Sequence, residues 1–347
     1  MVIINNYKLF NIFLSFYENY NFILLIDNYI YQYYIKYILF NIKNIKKYIY
    51  ILKLKNGEKY KNIYTCIKIF NKLNKKKINK KNILINIGGG VISDLGGFIS
   101  SIYKRGIYFF NIPTTLLSII DASIGGKNGI NINFLKNEIG IFNKPKIIFI
   151  DKIFLFTLNK KAILSGISEI IKYGLIFNKK LFNLIINNYK LNFQNNIWKK
   201  IIKKSIKIKI KIIKKDFFDN NIRKILNYGH TIGHAIETFF LIKNINLSHG
   251  ESIALGFLYE AWLSYKKKFL SYKKFIHIQY NILKIYKYLY IYIYIIKYKK
   301  YIILNYMNND KKNFNKKINF SLLKNIGKCI YNITLNKKII KNSLYYL

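Results

Sequence analysis

The chain of 347 residues has only four histidines, and three of them, His230, His234 and His249, fall in one short window. His230 and His234 are four apart, so on a helix they share a face, and spacing alone pairs them as ligands. His249 opens the apolar run that follows. Imidazoles grouped this way bind a divalent metal or move protons. Upstream, the apolar stretch Ser165 to Gly174 places Glu169 and Lys172 one helical turn apart. In a chain with 14 acidic residues, such a carboxylate is either half of a helical Glu–Lys pair or a metal ligand. Glu169 with two of the three histidines makes a His2Glu set with an open position, the composition of a catalytic zinc site. HExxH is absent, which disfavours a zincin peptidase. His277 lies in a lysine- and tyrosine-rich tail and reads as structural or surface.

A second group of residues is suited to phosphate. Gly88-Gly89-Gly90-Val91-Ile92-Ser93-Asp94 reads as a strand-to-helix turn. Its glycines admit a ligand close to the backbone, and the helix start offers free N–H groups to a pyrophosphate. The turn is not a GxGxxG fingerprint, and a tight packing turn is the competing reading. Thr114, Thr115 and Ser118 follow Pro113. Asp121 then precedes Gly125-Gly126-Lys127, and Lys136-Asn137 comes soon after. A lysine behind two glycines suits a phosphate as a point charge, although lysine is abundant here and any single one is ordinarily a solvated surface residue.

These groups need elements to hold them. Asn82 to Ile87 reads as a buried strand, Val91 to Ser101 as a helix, and Tyr108 to Ile112 and Ile147 to Ile150 as further strands. This is the pattern of a parallel α/β unit. Beyond about residue 160 the periodicity becomes helical, over Ala162 to Phe177, Ile197 to Ile213, Arg223 to Leu241 and Glu251 to Leu270. The low-complexity stretch Lys273 to Lys300 reads as amphipathic helices. We expect an α/β Rossmann-like domain over 1–158 and an all-α domain over 159–347.

Sixty basic residues against 14 acidic give a formal charge of +46. Such a balance ordinarily points to nucleic acid or a membrane surface. The excess is lysine, accompanied by excess Ile, Asn, Tyr and Phe, five residue types with A/T-rich codons. Compositional drift raises all five together, so we expect neither a specific nucleic acid nor a membrane partner, only weak polyanion binding at low salt. Cys66 and Cys329 are far apart and imply no disulfide framework. No signal peptide is evident and no apolar run approaches a membrane span, so a cytoplasmic setting is expected.

With these residues in hand, the chain resembles the 3-dehydroquinate synthase family. The resemblance is carried by GGGVISDLGGF, RGIYFFNIPTTLLSIIDASIGGKNGIN, KNEIGIF, LSGISEIIKYG, ILNYGHTIGHAIE, LSHGESIALGF and DKKNFNKKINFSLLKNIG, in the family's order from about residue 56 to 327. It implies an N-terminal α/β domain that binds NAD, a helical domain that holds the metal, an active site in the cleft between them, and a homodimer in which Arg105 reaches the neighbouring site. It implies Glu169, His230 and His249 as ligands of zinc or cobalt, which replaces the pairing from spacing and leaves His234 as an acid/base or phosphate-contacting residue. Implied NAD contacts are Asn56, Gly57, Glu58, Lys59, Tyr60 and Lys61; Gly90, Val91, Ile92, Ser93 and Asp94; Thr114, Thr115, Lys127 and Lys136; and Phe154, Leu155, Phe156 and Thr157. Implied substrate contacts are Asp121, Lys127, Asn137, Lys172, Lys209, Arg223, Asn227 and His234, with one of Lys311 and Lys312. The chain departs from the family pattern at Asn56, where aspartate is usual, at Ser93, where glycine is usual, and at Phe217, where glutamate is usual.

The implied reaction converts 3-deoxy-D-arabino-heptulosonate 7-phosphate to 3-dehydroquinate and phosphate, a lyase step of aromatic amino acid biosynthesis through shikimate. It runs by transient oxidation at C5, phosphate elimination, re-reduction and intramolecular aldol closure. The alternatives are another sugar-phosphate cyclase or a metal-dependent polyol dehydrogenase on the same fold, or a decayed, non-catalytic basic protein.

Overall fold

The computed structural model describes residues 1–42, 49–132, 135–308 and 318–346. Lys311 and Lys312 lie outside them. The chain divides into two compact units, Met1–Leu158 and Asn159–Leu347.

The first unit runs β1 (Val2–Ile4), α1 (Tyr7–Ser15), β2 (Asn21–Asp27), α2 (Asn28–Asn41), β3 (Ile49–Leu54), α3 (Ile63–Lys75), β4 (Asn82–Gly88), α4 (Gly90–Ile102), β5 (Tyr108–Pro113), α5 (Leu116–Ile120), β6 (Lys127–Ile132), β7 (Leu135–Phe142) and β8 (Ile147–Ile150). Six strands form a sheet in the order β1-β8-β5-β4-β2-β3, and every pairing in it is parallel. Strand side chains alternate between faces. Phe22, Leu24 and Ile26 of β2 pack with Phe10, Leu14, Ile30, Tyr34 and Ile38 of α1 and α2. Ile23 and Leu25 pack with Cys66, Ile69, Leu73, Leu95 and Ile99 of α3 and α4. Each such fully buried Leu or Ile contributes roughly 1.5–3 kcal/mol, which makes the sheet a rigid platform. The chain moves outward from β2 to β3 and then returns across β2 to β4. The carboxyl ends of β2 and β4 therefore flank a topological switch point, where doubly wound sheets bind ligands. β6 and β7 form a separate antiparallel hairpin.

The second unit contains α6 (Lys160–Phe177), α7 (Lys179–Asn188), α8 (Asn196–Lys215), α9 (His230–Ile242), α10 (His249–Lys266), α11 (Tyr272–Ile285), α12 (Tyr290–Tyr298), α13 (Lys300–Asn308), β9 (Ile318–Asn325), β10 (Lys328–Leu335) and α14 (Lys337–Tyr346). Two features differ from the sequence expectation. The unit is helical but not all-α, because β9 and β10 pair as an antiparallel hairpin. Its turn is tied to α6 by Gly327 N–H donating to the Leu175 carbonyl at 2.7 Å. The stretch Arg223 to Leu241 is also not one helix. A 3-10 segment over Ile222–Asn227 ends before Gly229, which sits at φ +79°. A Cβ at Gly229 would lie 2.3 Å from the Phe257 ring, so only glycine turns the chain here. His277 packs edge-on against Phe182, as a structural residue would. Among the described residues no helix is long and apolar enough to cross a membrane.

Candidate functional site

The helical unit assembles its candidate site from α6, α9 and α10. Glu169 is 1% exposed on α6. Lys172, also buried and one turn away, forms an ion pair with its Oε2, while Oε1 faces His230 Nε2 at 3.5 Å and His249 Nε2 at 4.0 Å. One ligand atom each from Glu169, His230 and His249 lie within 4.8 Å of one another. His230 opens α9 directly after the Gly229 turn, and its Nδ1 lies 3.1 Å from the Tyr228 carbonyl. That carbonyl can only accept, so Nδ1 carries the proton and Nε2 keeps its lone pair. His249 begins α10 beside the N-cap Ser248, whose side chain and Glu251 form a capping box. Its Nδ1 lies 3.3 Å from Glu237 Oε2, which directs its Nε2 lone pair inward in the same way. Burial, reinforced by the Lys172 charge, pulls the His230 imidazolium down to about 4, so the ring is neutral at physiological pH. Two imidazoles with inward lone pairs and one buried carboxylate fit a divalent cation.

His234 does not enter that set. It lies on the same face of α9 as His230, with ring centroids 5.2 Å apart. Its ligand atom groups instead with Glu237 and His249, and its ring is 5.8 Å from that of His249. The spacing pair His230 and His234 is therefore not the pair that meets Glu169. The three rings form a triangle, and the Glu169 carboxylate faces its His230 and His249 corners.

Lys209 and Arg223 are buried cations of the same unit, and Asn227 is half-buried. Arg223 Nη1 donates to the Phe217 carbonyl at 2.5 Å. Asp216 accepts from the backbone N–H groups of Asn220, Asn221 and Arg223 at 2.7–3.0 Å. Burial alone would raise the Asp216 carboxyl, but those three donors and the Arg223 charge outweigh it and hold it below the usual range. The departure at Phe217 leaves this contact possible, since its acceptor is a main-chain carbonyl. From the other side, Ser321 on β9 donates to the Lys224 carbonyl at 2.7 Å, so the unanticipated hairpin braces the turn that presents Arg223.

In the α/β unit the glycine turn follows β4 at the switch point. α4 starts at Gly90, and its N-cap, Gly89, supplies no capping side chain. The N-cap therefore supplies no side-chain acceptor to the first N–H groups of the helix, which suits an anion site. A Cβ on Gly90 would find its nearest neighbour, Ala122 Cβ, at 3.5 Å, so packing does not demand glycine there. Gly88 is different: a Cβ would collide with Ile92 at 2.5 Å. The turn thus serves both packing and ligand access, at different residues.

Around it, Lys61 is buried with its ammonium 2.5 Å from both Asp94 Oδ2 and Asn137 Oδ1. Asn131 ties in Glu58 at 2.9 Å and the Asn137 N–H at 2.9 Å. One network thereby links the Asn56–Lys61 loop, α4 and the β6–β7 hairpin. Burial pushes the Asp94 carboxyl up, and Lys61 opposes the shift. Asp121 and Lys136 are half-buried, and Lys127 is exposed, 5.9 Å from the Phe142 ring centroid.

Other expectations are narrowed. The Thr115 side chain caps α5 in a capping box with Ser118, while Thr114 is buried. Phe154 and Leu155 are core residues, so only their backbone can reach a ligand, whereas Phe156 and Thr157 are exposed. Val91 is half-buried, Ile92 is core, and Gly57, Lys59 and Arg105 are exposed. Ser93 is buried, and its hydroxyl finds no hydrogen-bond partner among the described residues.

Sequence reasoning missed Glu237 and Asp27. Glu237 lies in the quoted GHAIE segment, and the usable signal was its i, i+3 spacing from His234. Asp27 ends β2 at the switch point and accepts from the Ile30 N–H at 2.8 Å. Burial raises its carboxyl, partly offset by hydrogen bonds from Ile30, Tyr29 and the Asn56 side chain. An amide at position 56 can donate to Asp27 where a second carboxylate would repel it, which gives that departure a physical reason.

Residues 51–165 match the family described as 3-dehydroquinate synthase N-terminal, and residues 166–313 the one described as 3-dehydroquinate synthase C-terminal. The 3-dehydroquinate synthase of Parabacteroides distasonis is 38% identical over 300 residues, covering 85% of this chain and 82% of its own length. That of Campylobacter jejuni is 37% identical over 307 residues, 84% of this chain and 83% of its own. Among solved structures, a 2-epi-5-epi-valiolone synthase from Streptomyces hygroscopicus with NAD+ and Zn2+ bound superposes with a TM-score of 0.85 over 100% of this chain and 96% of its own. At 19% identity that likeness speaks for the fold alone. With both family halves matched in order and the relatives alike over most of their length, the chain belongs to the 3-dehydroquinate synthase family.

Proposed function

We propose that the chain is a metal- and NAD-dependent lyase that converts 3-deoxy-D-arabino-heptulosonate 7-phosphate to 3-dehydroquinate and phosphate. The observation that carries this reading is the Glu169–His230–His249 donor set, with both imidazole lone pairs directed inward. These residues would hold the divalent ion, and the Gly89–Gly90 helix start with the Lys61–Asp94 network would receive the dinucleotide. When bound, the ion supplies a Lewis acid for an alcohol oxygen and the dinucleotide a reversible hydride acceptor.

The chain's own residues do the rest. Lys172 pairs with one oxygen of Glu169 and offsets its charge. Lys209 and Arg223, already desolvated, offer charge-assisted hydrogen bonds to the carboxylate and phosphate of a multiply anionic substrate. Asn227 adds a neutral donor and acceptor. In the α/β unit, Asp121, Lys127 and Asn137 supply further polar contacts. His234, outside the ligand triad but beside it, would carry a proton. Holding a substrate by fixed charges while one proton and one leaving group move is mainly orientation and electrostatic preorganisation.

The expected assembly is a homodimer with Arg105 serving the neighbouring site. Mixing Arg105→Ala with His234→Ala protein then restores activity, because the mixed dimer keeps one intact site; if Arg105 acts in its own subunit, mixing restores none. The expected setting is the cytoplasm, where the free thiols Cys66 and Cys329 stay reduced.

The deciding assay is phosphate release from the heptulosonate phosphate with NAD and Zn2+ each supplied or withheld. Release that requires both, without net NADH, is expected. Stoichiometric NADH would instead identify a polyol dehydrogenase, and no release from folded, metal-loaded protein would sink the catalytic reading.

A further inference from the structure

We propose that Glu260, on α10, is the positioning residue that fixes His230, by closing the N-terminus of α9 from the outside. The inference rests on the reading that Glu169, His230 and His249 hold a divalent cation.

α9 begins without a capping side chain, because its N-cap is Gly229. Its first N–H groups are buried and need acceptors from elsewhere. Glu260 is 0% exposed. Its Oε2 accepts from the Gly229 N–H at 2.6 Å, and its Oε1 from the Ile232 N–H at 3.2 Å. His230 lies between those two residues, so the carboxylate grips the backbone on both sides of the ligand. The placement suits a charge: the start of a helix is its positive end, and a carboxylate removed from water needs such donors.

The same helix makes two more contacts to this short segment. Phe257 stacks on Tyr228 with ring centroids 5.5 Å apart and planes within 5°, and its carbonyl accepts from the Tyr228 hydroxyl at 3.2 Å. Tyr228 in turn supplies the carbonyl that faces His230 Nδ1. Glu260 follows His249 by three helical turns, on the same face of α10. One helix therefore carries one imidazole ligand and sets the register of the other. A residue that acts this way is felt at the metal, as outer partners of ligands are, and not only in the melting temperature.

The test uses the full-length apo protein and Co2+ alone, whose d–d absorption reports ligand geometry. Wild type, Glu260→Gln and Glu260→Ala are titrated beside Ile185→Ala, a cavity variant of the buried core on α7. We expect both Glu260 variants to bind Co2+ about 10–100-fold more weakly with an altered d–d band, and Ile185→Ala to lose thermal stability while keeping wild-type affinity and spectrum. A folded Glu260→Gln protein with wild-type affinity and spectrum overturns the positioning role and leaves the metal site standing. Failure of wild type to bind Co2+ overturns both. Should neither Glu260 variant fold, amide exchange in metal-free wild type decides: slow exchange across Gly229–Ile232 supports the clamp, and fast exchange there overturns it.

Discussion

In the helical unit the candidate site is made of side chains that are rare in this chain, each gripped by a buried partner. In the α/β unit it is made largely of main chain and of residue types found everywhere in the sequence. Glu169, His230 and His249 have second partners that fix charge state or tautomer, namely Lys172, the Tyr228 carbonyl and Glu237. Around the Gly88–Gly90 turn, what matters is where the backbone stops and which atoms are missing. A site of the first kind fails when a side chain is removed, and one of the second kind fails when a side chain is added.

That contrast can be broken or sharpened by experiment. The largest effect is expected at the ligands. His230→Ala or Glu169→Gln should abolish tight Zn2+ binding and lower kcat by at least about 10^3-fold, measured by metal titration and phosphate release; a variant that keeps both would remove the metal reading. Next comes Glu237→Ala, which leaves all three ligands in place but frees the His249 ring. Metal affinity should fall about 10–100-fold with the fold intact by circular dichroism, and unchanged affinity would show that the ring needs no partner. In the α/β unit, Gly90→Ala adds one methyl at ordinary contact distance from Ala122. It should leave thermal unfolding within about 0.5 kcal/mol of wild type yet raise KM for NAD by roughly 10-fold, taking one lost charge-assisted contact as about 1.4 kcal/mol. If the NAD constant is unmoved, the turn is for packing alone.

The smallest effect is a pH dependence of the apo protein. His230 in the unfolded chain takes up a proton through about pH 6.5, whereas in the fold it resists protonation until about pH 4. Its contribution to stability is therefore complete above about pH 6.5 and is lost progressively as the pH falls toward about 4. The slope of melting temperature against pH over that window should flatten in His230→Ala, and an identical slope would assign it to other groups.

The same difference between the units decided what could be read from the sequence. The His and Glu cluster was visible because its residue types are scarce, and the strand–turn–helix around Gly88 because glycine punctuates it. The pairing of His230 with His234 followed helical spacing correctly onto one face but could not see α6 and α10 closing on His230 from outside the helix. The β9–β10 hairpin was obscured because lysine and asparagine blur its alternation, although Asn325-Ile326-Gly327-Lys328 carries a turn signal. The break at Gly229 hid inside an apolar run, since a helix tolerates an occasional glycine and only the Phe257 ring shows why this one bends. Asp27 and Glu260 carry no local motif, and their meaning is created by a strand crossing and by a neighbouring helix.

One contact near the ligands has a separate consequence. A Cβ on Gly250, the residue after His249, would lie 2.3 Å from the Ser165 Cα, one helical turn before Glu169. The helices that carry these two ligands thus meet almost main chain to main chain, with only the small Ser165 and Ser168 hydroxyls at the contact. Their separation is set by backbone and by the smallest side chains, so it depends little on the bulky lysine and isoleucine residues that dominate the rest of the chain. Heavy sequence turnover can accumulate around such a contact while the opening offered to an ion keeps its size.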